Sequence, residues 1–486
     1  MLVSHRNWIT AGIMAVIAIA FHSYNLDYAS YDLDEAVHVW HAQKSYSEVI
    51  DQSANDPNPP VYNLLMSAWV KIFGVDEWTV RFLSVLMGAL STVLMFLVVA
   101  RNYSYRAGLM AALLFCFAAI QFRFTHLARP YSLLMVMVIA SYGSLFEYFR
   151  TSQKRKLLLY YLFTALMIYI HPTSIFNLPA QGLLMLISYR KNVRQLIVVG
   201  MVSVASVATF AAYYLSIPYF EGKAGDMWFD APGIEAVSSV IDVFYGNSLI
   251  GWIQVLLLII IGCRFLWRPE SVKWNYVVIG IVWFLLPIVS SVLFSHLVKP
   301  VFQDKYVLSA HPGLILLLAV SINKAFNGFW RIIPFAFVLV MSFLSVKTLP
   351  SSEGDWRKAV EFIKSDYDKN TCVFIHPWYE FRTFSYYFDR TAYTNPDETQ
   401  KKLVKNRVYT AWHDVLPNGP YGSVNNIYLI TSHGNFVDLP FRIDSLDKAS
   451  YLIESKEFSG IRLRKHQRRK ENTESDSSNL GVSDEQ

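Results

Sequence analysis

"RFLSVLMGALSTVLMFLVVA", Arg81 to Ala100, is a run in which only the first residue is charged. About 20 apolar residues in a row are what a helix needs to cross the ~30 Å hydrocarbon core of a bilayer. Outward from this run the pattern recurs, as "WITAGIMAVIAIAF" from Trp8 and "WIQVLLLIIIGCRFLW" from Trp252. The whole chain agrees: of its 486 residues, 53% are hydrophobic and 16% charged. Soluble domains run at roughly 45–50% and about 25%. The run from Trp8 lacks a small-residue cleavage site and many more runs follow it, so it reads as a retained anchor, not a signal peptide.

Hydropathy predicts about eleven spans, near 8–24, 78–100, 107–122, 131–149, 157–171, 174–189, 196–216, 247–265, 275–295, 307–322 and 332–349. Alternate connections are rich in Lys and Arg: Arg101 and Arg106; Arg150, Lys154, Arg155 and Lys156; Arg190, Lys191 and Arg194; Arg264, Arg268 and Lys273; Lys324 and Arg331. The opposite connections are poorer, keeping Arg123, Arg129, Lys299 and Lys305. Positive charge stays in the cytoplasm, so the N-terminus is expected inside and everything after Pro350 outside. The fold class is an α-helical polytopic membrane protein with residues 1–350 as its membrane module. Cys116 and Cys263 fall in spans and Cys372 stands alone outside, which leaves no disulfide framework there.

Residues 25–77 form an outer loop. "DEAVHVWHAQKSYSEVI" has helical apolar spacing, and "PPVYNLLMSAWVKIFG" is a short apolar helix from Pro to Gly74. Both read as interfacial helices, with Trp40, Trp69 and Trp78 at headgroup depth. From Ser351 the composition turns soluble. A helix around Trp356–Lys364, a strand at "TCVFIHP", a helix at "FRTFSYYFDR" and a strand at "NNIYLITSH" predict a small extracytoplasmic α/β domain over 351–464. Residues 465–486 read as a basic, then disordered, tail. Its lead, Arg462 to Lys470, is either a headgroup contact or a solvated charge run. The basic charge is scattered over membrane connections and implies no nucleic acid.

Just after the first span, "YDLDEAVHVW" (Tyr31–Trp40) packs Asp32, Asp34 and Glu35 together and is followed by His41. Asp32 and Glu35, three apart, suit a capping box. Asp34, His38 and His41 share a helix face at spacings of four and three, a pattern that suits a divalent metal. Asp56, in "NDPNPP", is either a turn residue or an acceptor or metal contact.

"LDEA" after the first span, then "NPPVYNLL", "RFLSVLMGAL", "ARPYSLLMVMV" from Ala128, "YIHPTSIFNLPAQ" from Tyr169, "VFQDKYVLSAHPGLILLLA" from Val301 and "DWRKAVEFI" from Asp355 stand in order along the chain. Together they resemble the polyprenyl-phosphate-sugar-dependent glycosyltransferases of the GT-C fold. The likeness is to the bacterial protein-mannosyltransferase-like and aminoarabinose-transferase-like group, of the glycosyltransferase family 39 type. Two positions depart from it: Asn58 stands where the family often has His, and Lys305 where it often has Arg. Lys305 keeps the charge and gives up the bidentate fork.

The resemblance implies a bacterial inner-membrane enzyme with its site on the outer face. A sugar on an isoprenoid phosphate is the donor, and a glycan, lipid or protein hydroxyl (or amine) the acceptor. Lipid phosphate leaves without protonation, so one carboxylate suffices, unlike the pair a glycosidase needs. The family's pattern makes Asp34 the base and Glu35 its neighbour, and puts Arg129, Lys305, Tyr131 and Tyr306 on the phosphate. His171 is a helix-end residue or part of the metal or phosphate site. No cofactor is certain, a divalent metal being possible. A polytopic transporter and an inactive assembly subunit are the alternatives. Lack of inverted repeats and of charges deep in the spans weighs against the transporter.

Overall fold

In the computed structural model, Arg81–Ala100 lies inside one helix, Glu77–Asn102. The structure describes residues 5–54, 59–189, 192–215, 230–267, 274–346, 354–410, 424–432 and 450–469. They divide into two units, one of Met1–Ala29 with Val37–Pro350, the other of Ser30–Ala36 with Ser351–Gln486.

In the first unit a helix lies over each expected span. Among the described residues, five helices are long and apolar enough to cross a membrane, or up to seven if each bent pair counts as one span. The expected span 107–122 is one such pair, Tyr105–Cys116 and Ala119–Thr125, bent by 56°. Ala118 is extended there, just before the second helix. The other pair is broken at Gly246, whose φ of +66° only glycine adopts without strain. Its first arm, Glu235–Tyr245, was not anticipated.

Glu77–Asn102 packs on His5–His22 through Phe96, Ala11 and Met14. Approach is close at Gly88, where a Cβ would lie 2.4 Å from Thr125 Cγ2. Polar side chains knit the next helices. Ser141 (helix Tyr131–Thr151) bonds Thr164 (helix Lys154–Ile170) at 2.8 Å. Gln181 (helix Asn177–Tyr189) donates to Ser141 and accepts from Tyr160.

The outer loop holds three helices where two were expected: Leu33–Ala42, Tyr46–Ser53 and Pro60–Phe73. Ser45 and Glu48 form a capping box that starts the second, which explains the break. Trp40 is buried, and Trp69 is half-buried and donates to the Thr79 carbonyl at 2.9 Å. Trp78 is exposed and stacks on Phe82.

The second unit is built on strands β1 (Thr371–His376), β2 (Val408–Tyr409), β3 (Asn426–Ser432), β4 (Ser450–Phe458) and β5 (Ile461–Arg468). Their order is β2-β1-β3-β5-β4, parallel from β2 to β3 and antiparallel beyond. Asp355 caps the helix Trp356–Lys364, which buries Trp356, Ala359, Val360 and Ile363, an i, i+3, i+4, i+7 stripe. The basic run from Arg462 is a correction: it is an interior strand, and it continues past residue 464. Ile461, Leu463 and His466 are buried while Arg462, Arg464 and Lys465 between them are half-buried. Residues 470–486 lie outside the described residues.

Candidate active site

The acidic segment forms the start of helix Leu33–Ala42. Glu35 N–H donates to Asp32 Oδ1 at 2.6 Å and Asp32 N–H to Glu35 Oε2 at 3.3 Å, the two arms of a capping box. Glu35 is 1% exposed, whereas Asp34 is exposed. One residue advances the helix by about 100°, which sends these neighbours to different faces. The acid that caps is therefore buried, and the acid beside it looks outward.

Ser30–Ala36 is held within the second unit by groups far along the chain. Ser30 Oγ donates to the Gly354 carbonyl at 2.8 Å and accepts from Trp356 N–H at 3.2 Å. Tyr31 N–H donates to the Tyr387 hydroxyl at 2.6 Å, and the Tyr31 ring meets Tyr386 edge-on at 4.5 Å. Tyr393 OH donates to the Ala36 carbonyl at 2.9 Å. Burial, then the neighbouring Tyr386 and Glu35, push the Tyr393 phenol well above its ordinary value, so it keeps the proton it donates. Sequence reading missed these tyrosines as partners of the acidic segment. The sequence offered "FRTFSYYFDR" only as a helix of the outer domain.

In the first unit, Arg81 is 1% exposed and donates to the carbonyls of Leu26 and Ala29 at 3.0 and 2.8 Å. It fixes the chain just before the acidic segment, another role invisible in the sequence.

The expected phosphate residues come together in that same unit. Arg129 ends the turn before helix Tyr131–Thr151, where Pro130 starts the helix. His171 caps helix Lys154–Ile170, and Lys305 and Tyr306 lie on the 3₁₀ turn Asp304–Ala310. Asn177 pins that turn by donating to Ser309 Oγ at 2.9 Å. The Arg129 guanidinium lies 5.4 Å from the Tyr131 ring and donates to its hydroxyl at 3.4 Å. His171 sits between the rings of Tyr131 and Tyr306, 6.0 and 4.9 Å away, and Lys305 Nζ is 5.7 Å from the Tyr306 ring. His171 Nδ1 bonds Thr173 Oγ1 at 2.8 Å. His171 is thus both a helix end and a member of the cluster. Two cations beside two phenols form a donor-rich surface suited to a phosphate.

The metal face does not assemble. His38 Nδ1 bonds Asn63 Oδ1 at 2.8 Å, its ring is edge-on to Tyr62, and His41 packs beside Trp40. Among the described residues, no three His, Cys, Asp or Glu side chains are grouped to hold a metal ion. Spacings of four and three put Asp34, His38 and His41 on one helix face, but the loop's own packing claimed His38. Asp56 lies outside the described residues, as does Asn58.

Residues 57–214 match the family described as dolichyl-phosphate-mannose-protein mannosyltransferase. The chain is similar in fold to ArnT from Cupriavidus metallidurans in the apo state: TM-score 0.57, 11% identity, 94% of this chain and 97% of that one. For the same enzyme bound to undecaprenyl phosphate the TM-score is 0.57 at 10% identity, over 95% and 98%. The apo Archaeoglobus fulgidus oligosaccharyltransferase gives 0.52 at 10% identity, over 88% of this chain and 69% of that one. No curated protein matches by sequence. The motif-level resemblance holds: this is a GT-C-fold membrane protein with a small C-terminal sheet domain.

Proposed function

We propose that this GT-C-fold chain is a membrane glycosyltransferase that moves a hexosyl or pentosyl group from a polyprenyl-phosphate donor to an acceptor hydroxyl or amine. The single observation that carries the reading is the cluster of Arg129, Tyr131, His171, Lys305 and Tyr306 in the first unit. Cations and phenols gathered at helix ends make a setting that favours an anion. A lipid phosphate supplies one, as in the ArnT structure that holds undecaprenyl phosphate.

In the reaction, Asp34 accepts the proton of the acceptor hydroxyl while that oxygen attacks the anomeric carbon from the face opposite the phosphate. The bond from the anomeric carbon to the phosphate oxygen breaks, and its electron pair leaves on the lipid phosphate. The sugar is inverted. Arg129 and Lys305 balance the charge that grows on the departing phosphate, and the hydroxyls of Tyr131 and Tyr306 donate to its oxygens. The division of Lys and Arg among the connections supports a cytoplasmic N-terminus, a site on the outer face and an inner-membrane location.

Purified protein in nanodiscs, given a radiolabelled polyprenyl-phosphate sugar and a crude membrane acceptor fraction, tests the reading. Transfer or donor turnover by the wild type, lost in Asp34→Asn, supports it. Substrate flux across vesicles that Asp34→Asn leaves unchanged would mark a transporter instead. No turnover by the wild type with any lipid-linked sugar would mark an inactive subunit.

A further inference from the structure

We infer that Tyr387 and Tyr393 are positioning residues for the Asp34 carboxylate, and that the C-terminal unit is therefore part of the catalytic apparatus. The inference rests on Asp34 being the base. Its geometry is independent of that role.

Asp34 lies in a seven-residue segment gripped on both sides. Before it, Tyr31 N–H donates to Tyr387 OH at 2.6 Å and Ser30 is bonded to both Gly354 and Trp356. After it, Tyr393 OH donates to the Ala36 carbonyl at 2.9 Å. Every one of these partners comes from residues 354–393, in the unit to which Ser30–Ala36 also belongs.

Tyr31, Glu35 and Ala36 are buried, whereas Asp34 is exposed. A helix has one rotational freedom about its axis, and a first turn with few ladder bonds is its softest part. Bonds at Tyr31 and Ala36 fix that rotation, keep the Glu35 face inward and hold Asp34 outward. A general base must lie within about 2.6–3.2 Å of its proton. Displacement by ~1 Å can lower a rate about 10²-fold. Both hydroxyls meet the acidic segment at its backbone, so they act through Asp34.

Tyr393→Phe and Tyr387→Phe each remove one oxygen and keep the ring, which leaves the packing with Tyr386 in place. In nanodisc-held full-length protein, each is expected to lower kcat about tenfold or more, with the donor KM within twofold of wild type. In an Asp34→Asn background neither should lower the residual rate further, because the residue they aim is gone. A purely structural role would instead lower the rate in step with the folded fraction, read by thermal unfolding, and would add to the Asp34→Asn loss. Either pattern overturns the inference, as does wild-type kcat in both phenylalanine variants while Asp34→Asn is inactive. Full transfer by Asp34→Asn would instead overturn the base assignment.

Discussion

The acidic segment and the cation cluster are built in opposite ways. Ser30–Ala36 is contiguous in sequence, and its internal bonds, Asp32 to Glu35 and back, are local. What holds it comes from more than three hundred residues away. The cluster takes its members from three separate segments, and contacts among those members join them. A contiguous motif announces itself in sequence yet hides what orients it. A dispersed site is silent until the chain folds, and then explains itself.

Breaking the acidic segment should show the largest difference. Asp34→Asn should lower transfer by about 10²–10⁴-fold, the worth of general-base help. It should move the unfolding midpoint little, because the side chain is exposed. Glu35→Ala should do the reverse, removing a buried arm of the box for ~1–2 kcal/mol of stability. If both variants behave alike, the division between capping acid and working acid is wrong.

In the cluster, Arg129→Ala should weaken donor binding about 10- to 100-fold. A hydrogen bond to a charged group contributes ~1.5–3 kcal/mol and each tenfold in affinity is ~1.4 kcal/mol. Lys305→Arg keeps the charge and should bind donor as well as wild type or better, by gaining the fork. Titration with a polyprenyl phosphate reads both.

A smaller effect sharpens the metal question. His38→Ala removes the bond to Asn63 and should lower stability by about 1 kcal/mol, seen in the unfolding midpoint. The smallest effect lies away from either region. Burial raises the Asp366 carboxyl, but hydrogen bonds from Lys465 and Tyr428 outweigh it and leave the pKa below the ordinary value. A depressed folded-state pKa means this stabilisation is present above the unfolded value of about 3.9. It is lost as pH falls through the folded one. Asp366→Asn should erase that fraction of the acid sensitivity by lowering stability slightly at neutral pH, where the bonds are present, and leaving it unchanged in acid.

The apolar helices under the expected spans, β1, β3 and the capping box were legible because each is a local pattern of period, length or spacing. Arg129, Tyr131, Lys305 and Tyr306 were reached only through motif resemblance, since nothing local links residue 129 to residue 306. Three features escaped for physical reasons. The strand Ile461–Arg468 carries so many basic residues that its buried Ile461, Leu463 and His466 are masked. The break at Gly246 depends on one backbone angle. The tyrosines around Ser30–Ala36 act through backbone bonds, which leave no compositional trace.

The central claim is that the cation cluster holds the donor's phosphate while Asp34 serves only the chemistry. ³¹P NMR of a polyprenyl phosphate titrated into nanodisc-held protein tests it most directly. Wild type and Asp34→Asn should shift and broaden the phosphate resonance alike, and the Arg129→Ala, Lys305→Ala double variant should leave it at its free position. A resonance that the double variant perturbs as fully as wild type would contradict the account.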